Sequence, residues 1–197
     1  MTNIAESMAL SAYITDTIAK LYFSQIAHPL TILDVGCGDA QLTIMLANAF
    51  FNANFIGIDI NQEFLEQNKK QYPEINFLEP EHLNSIHHKA DLIYIVQVLH
   101  HIHEDRRKAF IHSILTTLKP SGTMLLIESS SYIYSLKKLF NSAVYECTPL
   151  AASFFRHLDL PGYTITINYL YPNYPRIEPY LQTIPLGSLY MVQIKNR

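Results

Sequence analysis

The stretch ILDVGCGDAQ, residues 32–41, places an acidic residue and two glycines directly after an apolar run. TILDV predicts a strand, and the segment LTIMLANAFF that follows the turn has apolar residues at helical spacing. Glycine in a strand-to-helix turn allows unusual backbone dihedral angles and lets a ligand come close to the main chain. The question is therefore which ligand, if any, Gly36 and Gly38 approach.

Outside this stretch, short β-rich runs alternate with helical patterns, which is typical of strand-helix-strand units and a largely parallel sheet. Strands are predicted at TILDV, FIGIDI, INFLE, ADLIYIVQVL, TMLLIE, YTITINYLY and LGSLYMVQI. The last two runs lie close together with prolines between them, which favours antiparallel pairing. We therefore predict an α/β fold with a doubly wound seven-stranded sheet, mostly parallel with an antiparallel last strand, and helices on both faces.

Three helices are predicted between the first five of these strands. The first has an apolar face made by Leu42, Met45, Leu46, Ala49 and Phe50. The second, NQEFLEQNKK, begins at Asn61 as its cap. The third begins near Glu104, with an apolar side at residues 110, 111, 114, 115 and 118, and a KPSG turn follows it.

Composition and charge limit the classes of partner. The chain has 197 residues, 49% of them apolar and 16% charged, and a formal net charge of -3. Because broad phosphate binding needs an excess of Lys and Arg on one face, a nucleic-acid partner is not expected. The two short basic runs, Arg106–Lys108 and Lys137–Lys138, are interpreted as solvated faces.

Cysteine spacing and hydropathy indicate the setting. Cys37 and Cys147 belong to no metal or disulfide spacing pattern, which favours a reducing cytoplasm. The amino terminus lacks the features of a signal peptide, and the longest apolar run, residues 92–99, is far shorter than the ~20 residues of a membrane helix. We therefore predict a cytoplasmic protein with no membrane partner.

An acidic residue after the second strand narrows the ligand. Asp59 comes 21 positions after Gly38, close to the ~20-residue interval at which a carboxylate binds ribose hydroxyls. The dinucleotide fingerprint requires a third glycine where this chain has Gln41. Asp34, before the glycines, suits a sulfonium and an α-ammonium group better than a phosphate. The charge pattern favours S-adenosylmethionine over NAD.

Five motifs in order carry a resemblance over residues 30–128: ILDVGCGDAQL, FIGIDI, NFLEPEHL, ADLIYIVQVLHHI and LKPSGTMLLIE. In these the sequence resembles the class I S-adenosylmethionine-dependent methyltransferases, and the resemblance implies a Rossmann-like methyltransferase fold. It implies that Gly36, Cys37 and Gly38 lie against the cofactor, that Asp34 orients its amino-acid end and that Asp59 binds the ribose. The resemblance further places Ile60 against the adenine, Glu79 near the adenine amino group and Gln97 beside the methionine part.

Two positions depart from the family pattern. Ala40 replaces a glycine that many members carry, which is tolerable because a small residue still allows close approach. Pro80 stands where the family usually supplies a backbone N–H to the adenine ring, and proline has none. Either Glu81 supplies this donor or the local alignment shifts.

The run His100-His101-Ile102-His103 ends the fourth strand, where an acceptor substrate would meet the methyl group. Histidine is suited to take a proton near neutral pH, so His101 or His100 is a candidate base, against a packing or capping role. Adjacent histidines lack the usual spacing of zinc ligands, and no metal site is predicted. Cys37 is interpreted as a small apolar filler and not as a nucleophile.

The sequence thus predicts one methyltransferase domain over residues 1–197 that methylates a small or medium-sized acceptor by in-line transfer. Residues 1–27 form a helical lid, 30–128 the cofactor-binding core, 129–160 a helical substrate-side insertion and 161–197 the antiparallel C-terminal strands. S-adenosyl-L-homocysteine is the expected product. A non-catalytic protein that binds S-adenosylmethionine or S-adenosylhomocysteine, with a regulatory or assembly role, and an NAD-dependent oxidoreductase remain alternatives. The oligomeric state and the acceptor atom are not predicted.

Overall fold

The computed structural model describes residues 12, 14–16, 18–19, 30–87, 89–129, 150–169 and 189–197. These residues lie in two compact units, the first ending at Pro80 and the second beginning at Glu81. Most of the predicted lid, residues 1–27, and the larger part of the predicted insertion, 129–160, lie outside the described residues. The division of the chain into one domain with these parts stays a prediction.

The first unit alternates strands and helices as predicted. Its elements are β1 (Thr31–Val35), α1 (Gln41–Ala49), β2 (Asn54–Ile58), α2 (Gln62–Gln71) and β3 (Asn76–Leu78). The strand order is β3-β2-β1, and both pairs are parallel. Near the amino terminus the described residues are helical, and Ile14 and Ile18 are buried there one helical turn apart.

The second unit contains the other four strands. Its elements are β4 (Ala90–Val96), α3 (Glu104–Leu115), β5 (Leu118–Ser129), α4 (Ala152–Arg156), β6 (Tyr163–Tyr169) and β7 (Leu189–Asn196), with 3-10 helices at Pro80–Ile86 and Leu99–His101. The strand order is β4-β5-β7-β6. β4 and β5 are parallel, whereas β7 runs antiparallel to β5 and to β6.

These seven strands form one mixed sheet, and the predicted fold class is confirmed. The middle of β4, residues 92–95, and the middle of β5, residues 124–127, are apolar and buried, as expected of strands that are covered on both faces. None of the described helices is long and apolar enough to cross a membrane.

Three predicted boundaries and faces were wrong. β4 ends at Val96 instead of Leu99, because Gln97 takes a left-handed backbone conformation with φ 58°. The KPSG segment predicted as a turn lies inside β5, where the pairing with β4 shifts register between Ala90 and Leu92. In α1 the buried side chains are Thr43 and Leu46, so the apolar face was only partly predicted.

The second unit has an aromatic centre. Tyr190 on β7 is fully buried, and its hydroxyl donates a hydrogen bond to the carbonyl of Leu150 at 3.0 Å. The ring of Phe155 lies edge-on to it, with 6.0 Å between the ring centroids. Phe155 is therefore a core residue of the second unit.

Candidate functional site

The turn between β1 and α1 is built on left-handed backbone conformations. Gly36 has φ 82° and Gly38 has φ 52°, which glycine adopts without the steric cost that a Cβ atom brings. Ala40, at the N-terminal boundary of α1, has φ 59° although it carries a Cβ atom. The substitution of alanine for a glycine at this position therefore costs backbone strain.

The backbone N–H groups of this turn bind oxygen atoms of the protein itself. Gly36 and Cys37 both donate to the carbonyl of Ile58, at 2.7 and 3.0 Å. Gly38 donates to Asp59 Oδ2 at 2.7 Å. A phosphate-binding loop directs such groups at its ligand. Because the N–H groups of residues 36–38 already donate to Ile58 and Asp59, they do not form a phosphate-binding site.

Asp59 is anchored at both carboxylate oxygens. Its Oδ2 accepts from Gly38 and its Oδ1 accepts from the backbone N–H of Asn61 at 2.9 Å. Asn61 in turn caps α2, as predicted, by accepting from the N–H groups of Glu63 and Phe64. A carboxylate has about four acceptor positions, so Asp59 retains capacity for two hydroxyl donors of a ligand.

Two buried polar side chains that the sequence analysis missed support this turn. Asn68 on α2 is 3% exposed and donates from Nδ2 to the carbonyl of Gly38 at 2.8 Å. Thr43 on α1 is fully buried and donates from its hydroxyl to Asp34 Oδ2. Both are polar residues on the inner face of a helix, which is the one signal in the sequence that could have identified them.

The electrostatic environment of the turn is acidic. Residues 30–60 contain the carboxylates of Asp34, Asp39 and Asp59, and no Lys or Arg. Burial raises the pKa of the Cys37 thiol far above its usual value, and the Asp34 and Asp59 carboxylates raise it further. Cys37 is therefore a neutral thiol, as expected for a filler, and the surroundings favour a cationic ligand group.

The remaining residues assigned to the first unit differ in exposure. Ile60 follows Asp59 and is 85% exposed, so a large apolar side chain stands at the surface directly beside the anchored carboxylate. Glu79 is half-buried and precedes the 3-10 helix that begins at Pro80. The ligand contacts of Ile60 and Glu79 stay predictions.

The second unit holds the other candidate residues after β4. Gln97, whose N–H donates to the carbonyl of Ile127, is followed by the 3-10 helix that contains His100 and His101, so the histidines do not end a strand as predicted. His100 is buried and its Nδ1 lies 2.9 Å from Glu128 Oε2. His101 is exposed, with its ring centroid 4.0 Å from that of His100. Glu128 was not predicted as a site residue.

Arg107 corrects the interpretation of the basic run. Arg106 and Lys108 are exposed, but Arg107 is 3% exposed, and its Nε donates to the carbonyls of Leu99 and Ile102 at 3.0 and 2.9 Å. Burial lowers the pKa of the Arg107 guanidinium, while the Glu128 carboxylate acts in the opposite direction.

Among the described residues no group of three His, Cys, Asp or Glu side chains could hold a metal ion.

A family model described as "Methyltransferase domain" matches residues 32–122 of the chain. This range begins in β1 and ends within β5, so it contains the glycine turn, Asp59 and the histidine-bearing 3-10 helix. The match follows four of the five motifs in full and part of the fifth, in the order in which the sequence presents them.

Curated relatives match over parts of the chain. A tRNA (carboxymethyluridine(34)-5-O)-methyltransferase of Arabidopsis thaliana is 26% identical over 132 residues, which cover 66% of this chain and 30% of that protein. A tRNA1(Val) (adenine(37)-N6)-methyltransferase of Vibrio cholerae serotype O1 (strain M66-2) is 37% identical over 62 residues, which cover 30% of this chain and 26% of that protein. The chain thus spans less than a third of the length of either relative.

Among solved structures, the plantazolicin methyltransferase BpumL, in complex with a triazolic desmethylPZN analog and SAH, superimposes with a TM-score of 0.73. The two proteins are 18% identical, and the alignment covers 98% of this chain and 85% of that chain. At this level of identity the likeness establishes the fold.

Proposed function

We propose that this protein is a class I S-adenosylmethionine-dependent methyltransferase, which binds S-adenosylmethionine and transfers its methyl group to an acceptor; the match to the methyltransferase-domain model and the fold support this. The observation that carries the proposal is the turn after β1. The backbone N–H groups of residues 36–38 donate to oxygen atoms of the protein, and the charged side chains of residues 30–60 are all acidic. One of these, Asp59, directly follows β2 and accepts a hydrogen bond from Gly38.

The negative charges and hydrogen-bond acceptors around this turn fit the cofactor. S-adenosylmethionine carries an α-ammonium group and a sulfonium, both positive, and two ribose hydroxyls that donate hydrogen bonds to a carboxylate. NAD carries a pyrophosphate, which requires N–H donors or cations that residues 36–38 and the side chains of residues 30–60 do not supply. The cofactor-binding residues we assign are Asp34, Gly36, Cys37, Gly38, Asp59, Ile60, Glu79 and Gln97.

The bound cofactor supplies a methyl group on a sulfonium, which is a reactive leaving group. The residues of the chain then have to orient the acceptor, exclude water and, for a hydroxyl acceptor, take up its proton. His100 and His101 are the side chains we assign to proton uptake. His100 is the better oriented of the two, because its ring is fixed by Glu128.

For the acceptor we propose a small or medium-sized molecule. The formal net charge of -3 is one support. Another is the burial of Arg107, which leaves the run Arg106–Lys108 with two exposed cations instead of three. Because two relatives are tRNA methyltransferases, tRNA is the acceptor that an experiment has to compare directly.

Cofactor binding is tested by a thermal-shift panel of S-adenosylmethionine, S-adenosylhomocysteine and NAD, because a ligand that binds only the native state raises Tm. We expect the two sulfur compounds to raise Tm and NAD to leave it unchanged. A shift with NAD alone would favour the oxidoreductase alternative and overturn the proposal.

Transfer is tested with methyl-labelled cofactor, using pooled small metabolites in one arm and unmodified tRNA in the other. An Asp59→Ala variant serves as the blank. Label recovered in a small product supports the proposed acceptor class, and label in tRNA overturns it. Tight cofactor binding without transfer in either arm favours the non-catalytic binding protein.

A further inference from the structure

Two buried charged groups hold the 3-10 helix Leu99–His101 in the second unit. Glu128, near the end of β5, is fully buried, and Arg107 on α3 is 3% exposed. Both bind Leu99: its N–H donates to Glu128 Oε1 at 2.7 Å, and its carbonyl accepts from Arg107 Nε at 3.0 Å. Burying opposite charges is costly unless each is satisfied by hydrogen bonds, and here both bind the same short segment.

The carboxylate of Glu128 lies in a concave arrangement of backbone N–H groups. Val98 and Leu99 both donate to its Oε1, at 2.9 and 2.7 Å. Successive amides point at one anion when a left-handed residue is followed by a right-handed one, and Gln97 has φ 58° while Val98 has φ -110° and ψ -45°. Glu128 therefore fixes the strained backbone with which the segment begins.

The other oxygen of Glu128 binds the imidazole of His100. Oε2 lies 2.9 Å from His100 Nδ1. A carboxylate only accepts hydrogen bonds, and this one already accepts two from backbone amides. Nδ1 must then carry the proton, so in the neutral ring the lone pair is on Nε2.

We propose that Glu128 is a positioning residue that fixes the orientation and the tautomer of His100, so that Nε2 accepts the proton of the methyl acceptor. This role rests on the proposed function. In the step, the acceptor atom forms a bond to the methyl carbon, the carbon–sulfur bond breaks with its electron pair going to sulfur, and the acceptor's proton passes to Nε2. The ion pair of Glu128 with the resulting imidazolium stabilises the product state.

The discriminating variant is Glu128→Gln, which keeps the shape of the side chain. Its carbonyl oxygen can still accept from Val98 and Leu99, but its NH₂ group faces Nδ1 and can only donate. His100 must then accept at Nδ1 and carry its proton on Nε2, which removes the base. The matched control is Glu104→Gln, the same change at an exposed carboxylate of the same unit.

The test has a spectroscopic and a kinetic readout. In ¹⁵N-histidine NMR spectra assigned by a His100→Gln variant, we expect the Nδ1–H tautomer in the wild type and in Glu104→Gln, and the Nε2–H tautomer in Glu128→Gln. With the acceptor identified, kcat should fall ~10²- to 10⁴-fold in Glu128→Gln, the range of general bases, with KM and cofactor affinity changed less than about twofold.

Three outcomes overturn the inference. The first is an Nε2–H tautomer of His100 in the wild type, an observation that does not depend on the folding of any variant. The second is a reversed tautomer with full activity, and the third is lost activity with an unchanged tautomer, which would make Glu128 a structural residue. If the wild type binds no cofactor, the proposed function is overturned instead. The tautomer of His100 is still tested in that case, because its measurement requires neither cofactor nor acceptor.

Discussion

The Asp59 carboxylate accepts a hydrogen bond at 2.7 Å from the backbone N–H of Gly38, a residue 21 positions earlier in the chain. This contact joins the end of β2 to the turn after β1. It means that Asp59 has two tasks, because the same carboxylate that we assign to the ribose also closes the glycine turn. Substitutions at Asp59 should therefore change stability and cofactor affinity together.

Asp59→Asn tests this double role. One amide oxygen replaces two carboxylate oxygens, so either Gly38 or Asn61 loses its acceptor, and we expect the free energy of unfolding to fall by ~1–3 kcal/mol. Loss of the charged acceptor should weaken S-adenosylmethionine binding by roughly 10- to 100-fold in calorimetry. Glu74→Gln, at an exposed carboxylate of the same unit, should change neither quantity. Unchanged affinity in a less stable Asp59→Asn variant would limit Asp59 to closing the turn.

Asn68→Leu should destabilise the first unit. The variant keeps the size of the side chain but removes the donor to the Gly38 carbonyl, and we expect a loss of ~1–3 kcal/mol in the free energy of unfolding measured by urea denaturation. Gln67→Leu, on the exposed face of the same helix, removes only a 3.3 Å contact with Glu63 and should cost a few tenths of a kcal/mol, about the value of such helix pairs. Equal losses in the two variants would contradict the supporting role of Asn68.

Ala40→Gly should stabilise the protein. A left-handed conformation costs an L-residue ~1–2 kcal/mol, whereas the greater freedom of glycine in the unfolded chain costs ~0.4–1 kcal/mol, so a net gain of about 0.5 kcal/mol is expected. The control, Ala47→Gly within α1, should lose ~0.5–1 kcal/mol. Thermal denaturation distinguishes the two signs, and a fall in Tm for both variants would refute the strain at Ala40.

Cys37 should make stability depend on alkaline pH. Folding raises the pKa of its thiol, so the unfolded chain releases this proton first, near its usual value of 9.0. The contribution of the protonated Cys37 thiol to the free energy of unfolding is fully present below that pH. Above it the contribution is lost by up to about 1.4 kcal/mol per pH unit.

Denaturation at about pH 8 and about pH 10 checks this sign. The wild type should lose more free energy of unfolding between the two values than Cys37→Ala, which lacks the thiol. Cys147 is present in both proteins, so its contribution cancels in the difference. Parallel losses would show that Cys37 is not protected from ionisation by the fold.

The parts of the fold that were predicted correctly have local causes. β1 was predicted from its apolar run, and the beginning of α2 from the cap Asn61, whose side chain acts on amides only two and three residues away. The antiparallel direction of β7 followed from the short connection between it and β6.

The parts that were missed depend on residues distant in sequence. β4 stops at Val96 because Glu128, some thirty residues later, binds the amides that follow Gln97. Arg107 is buried because carbonyls of Leu99 and Ile102 satisfy it, which no charge pattern along α3 reveals. The same reason explains why Glu128 was not recognised as part of the candidate site.

The glycine turn has a consequence for binding kinetics. Its amides at residues 36–38 have partners before any ligand arrives, so ordering this segment does not oppose association. A preorganised turn of this kind affects mainly the dissociation rate, and changes to its internal hydrogen bonds should shorten the lifetime of the complex more than they slow its formation. The affinity of the protein for its ligand is therefore set in part by contacts that the ligand itself never makes.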